Sequence, residues 1–217
     1  MDSPPESIYY ITLLRHGESV GNADGYHQGQ ADFELTETGR VQVRALAERW
    51  LAKGVQFDAI ISSPLRRARQ TAEILVHYLP APLEFDPVWM ELDNGVLAGL
   101  KHEMAAEKYP PPEFRNPYTP IGQTGESAWE LYLRGGKAVQ SLLDRPPGRY
   151  LVVSHGGILN MALRAILGIT PQANWQGASF HFPNTASAIL KYHPDRHRWV
   201  LDQFNDQSHW PAGQVDD

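Results

Sequence analysis

The chain has 217 residues, of which 42% are hydrophobic and 20% are charged. This composition is ordinary for a globular protein and excludes a disordered or fibrous one. The formal net charge is −6 at pH 7, whereas proteins that bind nucleic acid or membrane surfaces usually carry a positive surplus. Because the sequence contains no cysteine, disulfides, thiolate catalysis, zinc fingers and iron–sulfur clusters are excluded.

Strands and helices alternate along the sequence. Short β-branched and aromatic runs predict strands at residues 8–14, 57–62, 150–154, 186–192 and 199–204. Apolar spacings of three and four residues predict helices between Thr36 and Gly54 and at residues 64–79, 127–143 and 158–167. Ser63 is the predicted N-cap of the second helix, with Pro64 at its first position. The alternation indicates one α/β domain over residues 1–217, with a mostly parallel central sheet flanked by helices.

Residues 92–124 interrupt this alternation. Prolines at positions 110, 111, 112, 117 and 120 prevent long regular elements and leave room only for a short helix at residues 103–109. An irregular segment of this length inside a compact domain is usually a lid or a binding loop. We therefore expect residues 92–124 to form a Pro-rich lid or substrate-specificity insert.

The amino terminus does not have the pattern of a secretory signal. Asp2 and Glu6 precede a short apolar run, and the first basic residue is Arg15, whereas a signal begins with basic residues and continues into an apolar stretch. No run approaches the 18 apolar residues that a membrane helix requires. We therefore expect a cytoplasmic protein that does not bind membranes.

Chemically reactive side chains follow three of the predicted strands. The first strand ends in Arg15-His16-Gly17, the second in Ser62-Ser63, and the third in Ser154-His155-Gly156-Gly157. Ligands of open α/β sheets bind outside the carboxyl ends of the strands. Two histidines are therefore expected to meet at one edge of the sheet.

Three arginines, at positions 66, 67 and 69, lie in the first turns of the second predicted helix. Positive charge is unfavourable at a helix N-terminus unless an anion is bound there. For Arg66 and Arg69, we expect exposure to solvent or pairing with Glu73 or its neighbours. For one of the three, we expect an anion site, because the guanidinium fork and the helix N–H groups both bind phosphate well.

The ordered motifs resemble those of the histidine phosphatase superfamily, in its phosphoglycerate mutase-like branch. The resemblance begins at Leu14-Arg15-His16-Gly17-Glu18-Ser19, with Asn22 and Gln28-Gly29. It continues through Ser63-x-Leu65-x-Arg67-Ala68, Glu91 with Gly95, Gly125-Glu126-Ser127, Ser154-His155-Gly156-Gly157 and Asn184-Thr185. It covers nearly the whole chain. An Arg-His-Gly triplet would be weak evidence by itself, but this ordered set is specific.

The resemblance implies a set of residue roles. His16 would attack phosphorus and become a phosphohistidine, and Glu91 would protonate the leaving oxygen and later activate water. Arg15, Arg67 and His155 would neutralise the phosphoryl oxygens. Phosphate binding would also involve residues Asn22, Gln28, Gly29 and Gly156. No metal or other cofactor is implied, and the partners would be a small phosphorylated substrate and inorganic phosphate, with a homodimer compatible with the family.

Several alternatives stay open. Asn22 and Gln28 have the alternative interpretation of ordinary loop polar residues, and Glu103, Glu107 and Glu126 are other candidates for the proton donor. His193 and His197 have metal-ligand spacing, but Pro194 places them in a turn and disfavours that interpretation.

The family resemblance also leaves the reaction open between phosphatase and cofactor-dependent phosphoglycerate mutase. Mutases carry Arg and Tyr just after the catalytic Glu, where this chain has Leu92 and Asn94, so we favour a phosphatase. Many relatives have Trp-Glu-Gly where this chain has Leu97-Ala98-Gly99. A non-catalytic module that binds phosphorylated ligands is the alternative from another class.

Overall fold

The computed structural model of the protein describes residues 7–210, so the ends of the predicted domain, 1–6 and 211–217, lie outside the described residues. Within this range six strands form one sheet in the order β3-β2-β4-β1-β5-β6. Their bounds are β1 Tyr9–Arg15, β2 Ala59–Ser62, β3 Leu83–Phe85, β4 Arg149–Ser154, β5 Ser187–His193 and β6 Arg198–Asp206. Strands β1 to β4 pair in parallel, and β5 and β6 add an antiparallel edge. The predicted single-domain α/β architecture is confirmed.

The helices pack on both faces of the sheet. Their bounds are α1 Val20–Ala23, α2 Glu37–Ala52, α3 Arg66–Tyr78, α4 His102–Lys108, α5 Ala128–Leu143 and α6 Gly156–Leu167. Local sequence explains their ends. Thr36 caps α2 by accepting from the Gly39 N–H, Ser127 and Glu130 form a capping box on α5, and Gly168 ends α6 in the left-handed conformation.

Each face of the sheet has its own hydrophobic core. One core places α5 and α6 against the sheet and includes Trp89, Leu131, Val152 and Ile158; the other places α2 and α3 against the opposite face and includes Leu14, Leu46, Leu75 and Val153. Alternate residues of β4 therefore face opposite cores, because successive side chains of a strand point to opposite sides. Burial on both faces explains why the central strands read as continuous apolar runs.

The predicted elements differ from the structure in three details. Helix α3 begins at Arg66 with Leu65 as N-cap, so Ser63 does not cap it and Pro64 does not open it. No helix or strand was predicted between residues 14 and 36, but this segment contains α1, whose N-terminus has a capping box formed by Ser19 and Asn22. The edge strand β3 was also not predicted, because its three residues are too short to show a period.

The insert, residues 92–124, contains a short 3-10 turn at Gly95–Leu97 and helix α4, with irregular chain between and after them. Helix α4 lies where a short helix was expected, shifted by one residue. The role of the insert as a lid stays a prediction.

Candidate active site

Strand register brings the two histidines together. In the parallel pair β1–β4, Arg15 is aligned with Ser154, so His16 and His155 both directly follow paired positions. The His16 N–H donates to the Ser154 carbonyl at 3.0 Å, and the two imidazole ring centres lie 5.1 Å apart. The carboxyl ends of β1 and β4 thus form the floor of one site, as the position rule for α/β sheets predicts.

The imidazole of His16 is held in one tautomer. Its Nδ1 lies 2.7 Å from the Gly17 carbonyl, which can only accept, so Nδ1 carries the proton and Nε2 presents a lone pair. Burial, together with the positive charges of Arg67 and Arg15, holds the pKa of His16 well below its usual value. A neutral imidazole with an exposed lone pair is the nucleophilic form.

Arg67 lies directly against that lone pair. Its Nε donates to His16 Nε2 at 3.2 Å, while Nη1 donates to the Ala31 carbonyl and Nη2 to the Gly29 carbonyl. The side chain is 1% exposed, and burial lowers the pKa of Arg67 to about 10, so it stays charged at neutral pH. A buried cation oriented by two carbonyls is a preorganised anion ligand.

The second histidine is oriented by Ser63. His155 Nε2 lies 2.7 Å from Ser63 Oγ, and that oxygen accepts from the Leu65 N–H. The Ser63 hydroxyl hydrogen is therefore free to donate to Nε2, which leaves His155 Nδ1 as an N–H donor. Among residues 7–210 nothing lies within hydrogen-bond distance of Nδ1, and a buried donor of this kind suits a phosphate oxygen. Burial and the charge of Arg67 hold the pKa of His155 well below its usual value.

Glu91 reaches the site from the loop after the Pro87–Trp89 turn. Its Oε2 accepts from the Gly157 N–H at 3.0 Å, and its Oε1 accepts from the N–H groups of Ile158 and Leu92. Two of these donors belong to the N-terminus of α6, where free N–H groups and the helix dipole bind a carboxylate. The close contact requires glycine at position 157, because a Cβ there would lie 2.4 Å from Glu91 Oε1.

Arg134, on α5, holds in place the loop that carries Glu91. Its guanidinium donates to the carbonyls of Val88, Met90 and Glu91 and pairs with Glu126 at 2.6 Å. Glu126 also accepts from the Asp93 N–H. Glu126 therefore acts in an ion pair under the loop, whereas Glu91 lines the cleft. Arg134 was not predicted as a site residue, because the spacing of residues along a helix does not indicate a contact with a distant loop.

Of the other residues predicted to bind phosphate, Arg15, Gln28 and Gly29 line the cleft and Asn22 does not. Arg15 donates from Nη1 to the Phe182 carbonyl and lines the cleft, as does Gln28, whose Oε1 accepts from Ser19 Oγ. Gly29 is a backbone partner of Arg67, with a φ of +48° that favours glycine. Asn22 is linked to His16 through Asn184: its Oδ1 accepts from the Ser19 N–H and from Asn184 Nδ2, which also donates to the His16 carbonyl.

A cleft of about 230 Å³ lies among these groups, although His155, Asn22 and Gly156 are not among its lining residues. It is lined by Arg15, His16, Tyr26, His27, Gln28, Gly29, Arg67, Glu91, Leu92, Asn94, His102 and Gly157. Gly156 opens helix α6 between His155 and Gly157. The cleft thus joins two arginines, a neutral histidine nucleophile and a carboxylate, which can bind a phosphate and exchange a proton with its ester oxygen.

Other charged and histidine side chains that the sequence singled out lie outside the lining of the cleft. Arg66 pairs with Glu34 and Arg69 with Glu73, all four side chains being about half exposed. His197 Nδ1 lies 2.9 Å from the Tyr192 hydroxyl beside the Pro194–Arg196 turn. Across residues 7–210, no group of three His, Cys, Asp or Glu side chains is placed to hold a metal ion. In the same range, no helix has both the length and the apolar character to cross a membrane.

Comparison with known proteins identifies the class. The profile of the histidine phosphatase superfamily (branch 1) matches residues 11–207, and the chain belongs to this superfamily. A protein named probable phosphoglycerate mutase GpmB, from Cronobacter sakazakii, is 33% identical, over 95% of this chain and 97% of that protein. Its namesake from Salmonella choleraesuis is 32% identical with the same coverage.

Solved structures of phosphatases are also similar. A mycobacterial glucosyl-3-phosphoglycerate phosphatase bound to VO3 has a TM-score of 0.76 and 31% identity, covering 91% of this chain and 98% of the other. A phosphoserine phosphatase from Entamoeba histolytica, in complex with 3-phosphoglyceric acid, has a TM-score of 0.74 and 25% identity, covering 93% and 98%. Names on both sides of the mutase–phosphatase division thus occur among the relatives.

Proposed function

We propose that the protein hydrolyses phosphate monoesters through a phosphohistidine on His16. The observation that carries this proposal is the state of the His16 imidazole: Nδ1–H donates to the Gly17 carbonyl, and the unprotonated Nε2 accepts from Arg67 Nε. The nucleophilic atom and the cation that would neutralise a phosphoryl group therefore share one point of the cleft.

The reaction has two displacement steps. In the first, His16 Nε2 forms a bond to phosphorus while the ester P–O bond breaks, and the acid form of Glu91 gives its proton to the departing alcohol oxygen. In the second, the Glu91 carboxylate takes a proton from water, the water oxygen bonds to phosphorus, and the N–P bond breaks. Phosphate leaves, and His16 returns to its neutral state.

The hydrogen-bond donors of the site serve both steps. Arg15, Arg67 and the Nδ1–H of His155 would contact the non-reacting phosphoryl oxygens, whose charge spreads in the transition state. The proposed mechanism is metal-independent because these donors supply the electrostatic stabilisation that a divalent ion supplies elsewhere. Activity that is lost in excess chelator and restored by magnesium or zinc would contradict it.

Phosphoglycerate mutase is the second candidate, favoured by the names of the relatives from Cronobacter and Salmonella. Against it, the positions that carry Arg and Tyr in mutases are Leu92 and Asn94, and both line the cleft. Incubation with 3-phosphoglycerate distinguishes the reactions, because a phosphatase releases inorganic phosphate and a mutase forms 2-phosphoglycerate.

The nucleophile is tested by trapping the phosphoenzyme. Acid-labile, base-stable phosphate on the wild-type protein is expected, and His16→Ala should lose it together with at least about 99% of turnover. His77→Ala is the matched control, because His77 is an exposed residue of α3. Absence of turnover of any aryl phosphate by wild-type protein would favour the non-catalytic binding module instead.

A further inference from the structure

A second pocket opens beside the catalytic cleft. It has a volume of about 440 Å³ and shares His27, Leu92 and Asn94 with the cleft. We call it the side pocket; its other lining residues include Leu97, Ala105, Ala106, Tyr109, Arg115 and Ile121. The three shared residues, which we call the entrance, place the side pocket next to the cleft.

The walls of the side pocket are mainly apolar and come from the insert. Helix α4 supplies Ala105 and Ala106, the 3-10 turn supplies Leu97, and the chain after α4 supplies Tyr109 and Ile121. Apolar walls with a few polar groups are typical of small-molecule sites.

The side pocket is fixed to the catalytic loop by backbone hydrogen bonds. The His27 N–H donates to the Leu100 carbonyl at 2.9 Å, the Gly99 N–H to the His27 carbonyl at 2.8 Å, and the His102 N–H to the Gly25 carbonyl at 2.9 Å. These bonds join the loop after α1 to the start of α4. Backbone hydrogen bonds therefore fix the position of His27 at the entrance.

The entrance carries little charge. Leu92 and Asn94, which line both the cleft and the side pocket, are uncharged. Burial and the neighbouring His102 lower the pKa of His27, so its imidazole is neutral at pH 7. Arg115 is the cation on the wall, and it lines a separate cleft with Lys108 and Pro112 as well. The three residues shared by the cleft and the side pocket therefore offer no cation to a carboxylate of the substrate.

We propose that the side pocket binds the alcohol portion of the phosphate ester and selects an apolar portion over a polyhydroxylated or carboxylated one. This inference rests on the proposed phosphatase activity and names its substrate class: phosphate monoesters of alcohols with an aliphatic or aromatic body. Burial of the alcohol against Leu97, Ala105 and Ile121 supplies the selectivity.

The experiment is a homologous series of n-alkyl phosphates from propyl to octyl, assayed by phosphate release. Leaving-group chemistry is nearly constant along this series, so differences in kcat/KM report burial. Each methylene that enters the side pocket should raise kcat/KM by up to about fourfold. Glycerol phosphate and 3-phosphoglycerate, polar analogues of the propyl ester, should be poorer substrates than propyl phosphate.

Two variants locate the effect. Leu97→Asn keeps the number and branching of side-chain heavy atoms but makes the wall polar, and should lower the octyl-to-propyl ratio of kcat/KM by about tenfold. Ala106→Phe fills the pocket, so the gain with chain length should stop at shorter esters. Leu133→Asn is the matched control, because Leu133 is 55% exposed on α5 and lies outside the pocket; its ratio should equal that of the wild type.

The outcomes separate the two proposals. A flat or falling series in an enzyme that hydrolyses aryl phosphate, or a preference for the polar esters, would overturn the substrate class and leave the phosphatase proposal standing. A rising series that Leu97→Asn and Ala106→Phe do not change would place the alcohol elsewhere and overturn the role of the side pocket. No hydrolysis of any ester would instead overturn the phosphatase activity.

Discussion

The floor of the cleft and the insert differ in how their side chains are held. On the floor, His16, Arg67 and His155 are at most 2% exposed and each has a hydrogen-bond partner at a strand end or in the adjoining loop. In the insert, Met104, Phe114 and Tyr118 are more than half exposed. The floor residues proposed to transfer phosphate are therefore buried and held in one geometry. The insert proposed to bind the alcohol has exposed side chains and irregular chain, where substitutions are more easily tolerated.

The largest effect is expected for Glu91, which directly precedes the insert and lines the cleft. Glu91→Gln removes the proton donor and should slow alkyl phosphates by roughly 10²–10⁴. An activated aryl phosphate leaves as a stable anion, so its phosphoenzyme should still form and then accumulate. Burst kinetics over a leaving-group series measure both steps. Equal slowing of phosphoenzyme formation from alkyl and aryl esters would contradict the donor role, and Glu107→Gln, on the exposed face of α4, is the control.

A loss on the floor should be independent of the alcohol. His155→Ala removes a donor to the phosphoryl group, which weakens the transition state for every ester by roughly 10²–10³. The comparison is the ratio of alkyl to aryl rates, which should match the wild-type ratio in His155→Ala and fall in Glu91→Gln. A His155 variant that is slowed only on alkyl esters would place His155 with the proton donor.

A smaller loss of activity is expected from a change at Gly157, which positions the Glu91 carboxylate at the N-terminus of α6. A methyl group at position 157 would lie 2.4 Å from Glu91 Oε1, so Gly157→Ala must displace the carboxylate, and a shift of about 1 Å costs about 10² in rate. Gly136→Ala in α5 is the control, because its nearest neighbour outside the helix backbone, the Ala165 Cβ, is 3.8 Å away. If Gly157→Ala and Gly136→Ala have equal alkyl phosphatase activity, the observed position of Glu91 is not the catalytic one.

Burial of the floor also has a stability cost at low pH. His16 and His155 are neutral in the fold at pH values where an unfolded chain, with a histidine pKa of about 6.5, binds protons. The unfolded state therefore binds more protons below about pH 6.5, and stability falls as the pH falls, by up to about 1.4 kcal/mol per pH unit for each histidine.

Denaturant unfolding between pH 7 and pH 5 measures this dependence. His155→Gln should reduce the slope by up to about 1.4 kcal/mol per pH unit, while His77→Gln on the surface should leave it unchanged. A slope that His155→Gln does not alter would show that His155 is protonated in the fold.

Much of the fold could be predicted from the sequence. The central strands were recognisable because they are buried on both faces, and α2 and α5 because an apolar period lies between clear caps. Edge strand β3, with three residues, and helix α1, with four, are too short for a period to appear. Their pairing is decided by neighbours that the local sequence does not contain.

The site divides in the same way. The motifs and the predicted strand ends placed His16, Arg67 and His155 at one edge of the sheet, because parallel strands present their carboxyl ends together. The hydrogen-bond partners that orient these side chains could not be predicted. Ser63 was expected to cap a helix and instead lies against His155, and Arg134 supports a loop more than 40 residues earlier in the chain.

The sequence by itself determined the alternation of elements, the family and the residues available for phosphate chemistry, since these depend on short-range periodicity and on motifs. The tertiary structure decided which imidazole nitrogen is free, which carboxylate meets the N-terminus of α6, and that Leu92 and Asn94 join the cleft to an apolar pocket. These relations depend on strand register and packing between distant segments; Glu91 and Gly157 are 66 residues apart. No local pattern encodes a contact of that kind, because its geometry exists only once both cores have formed.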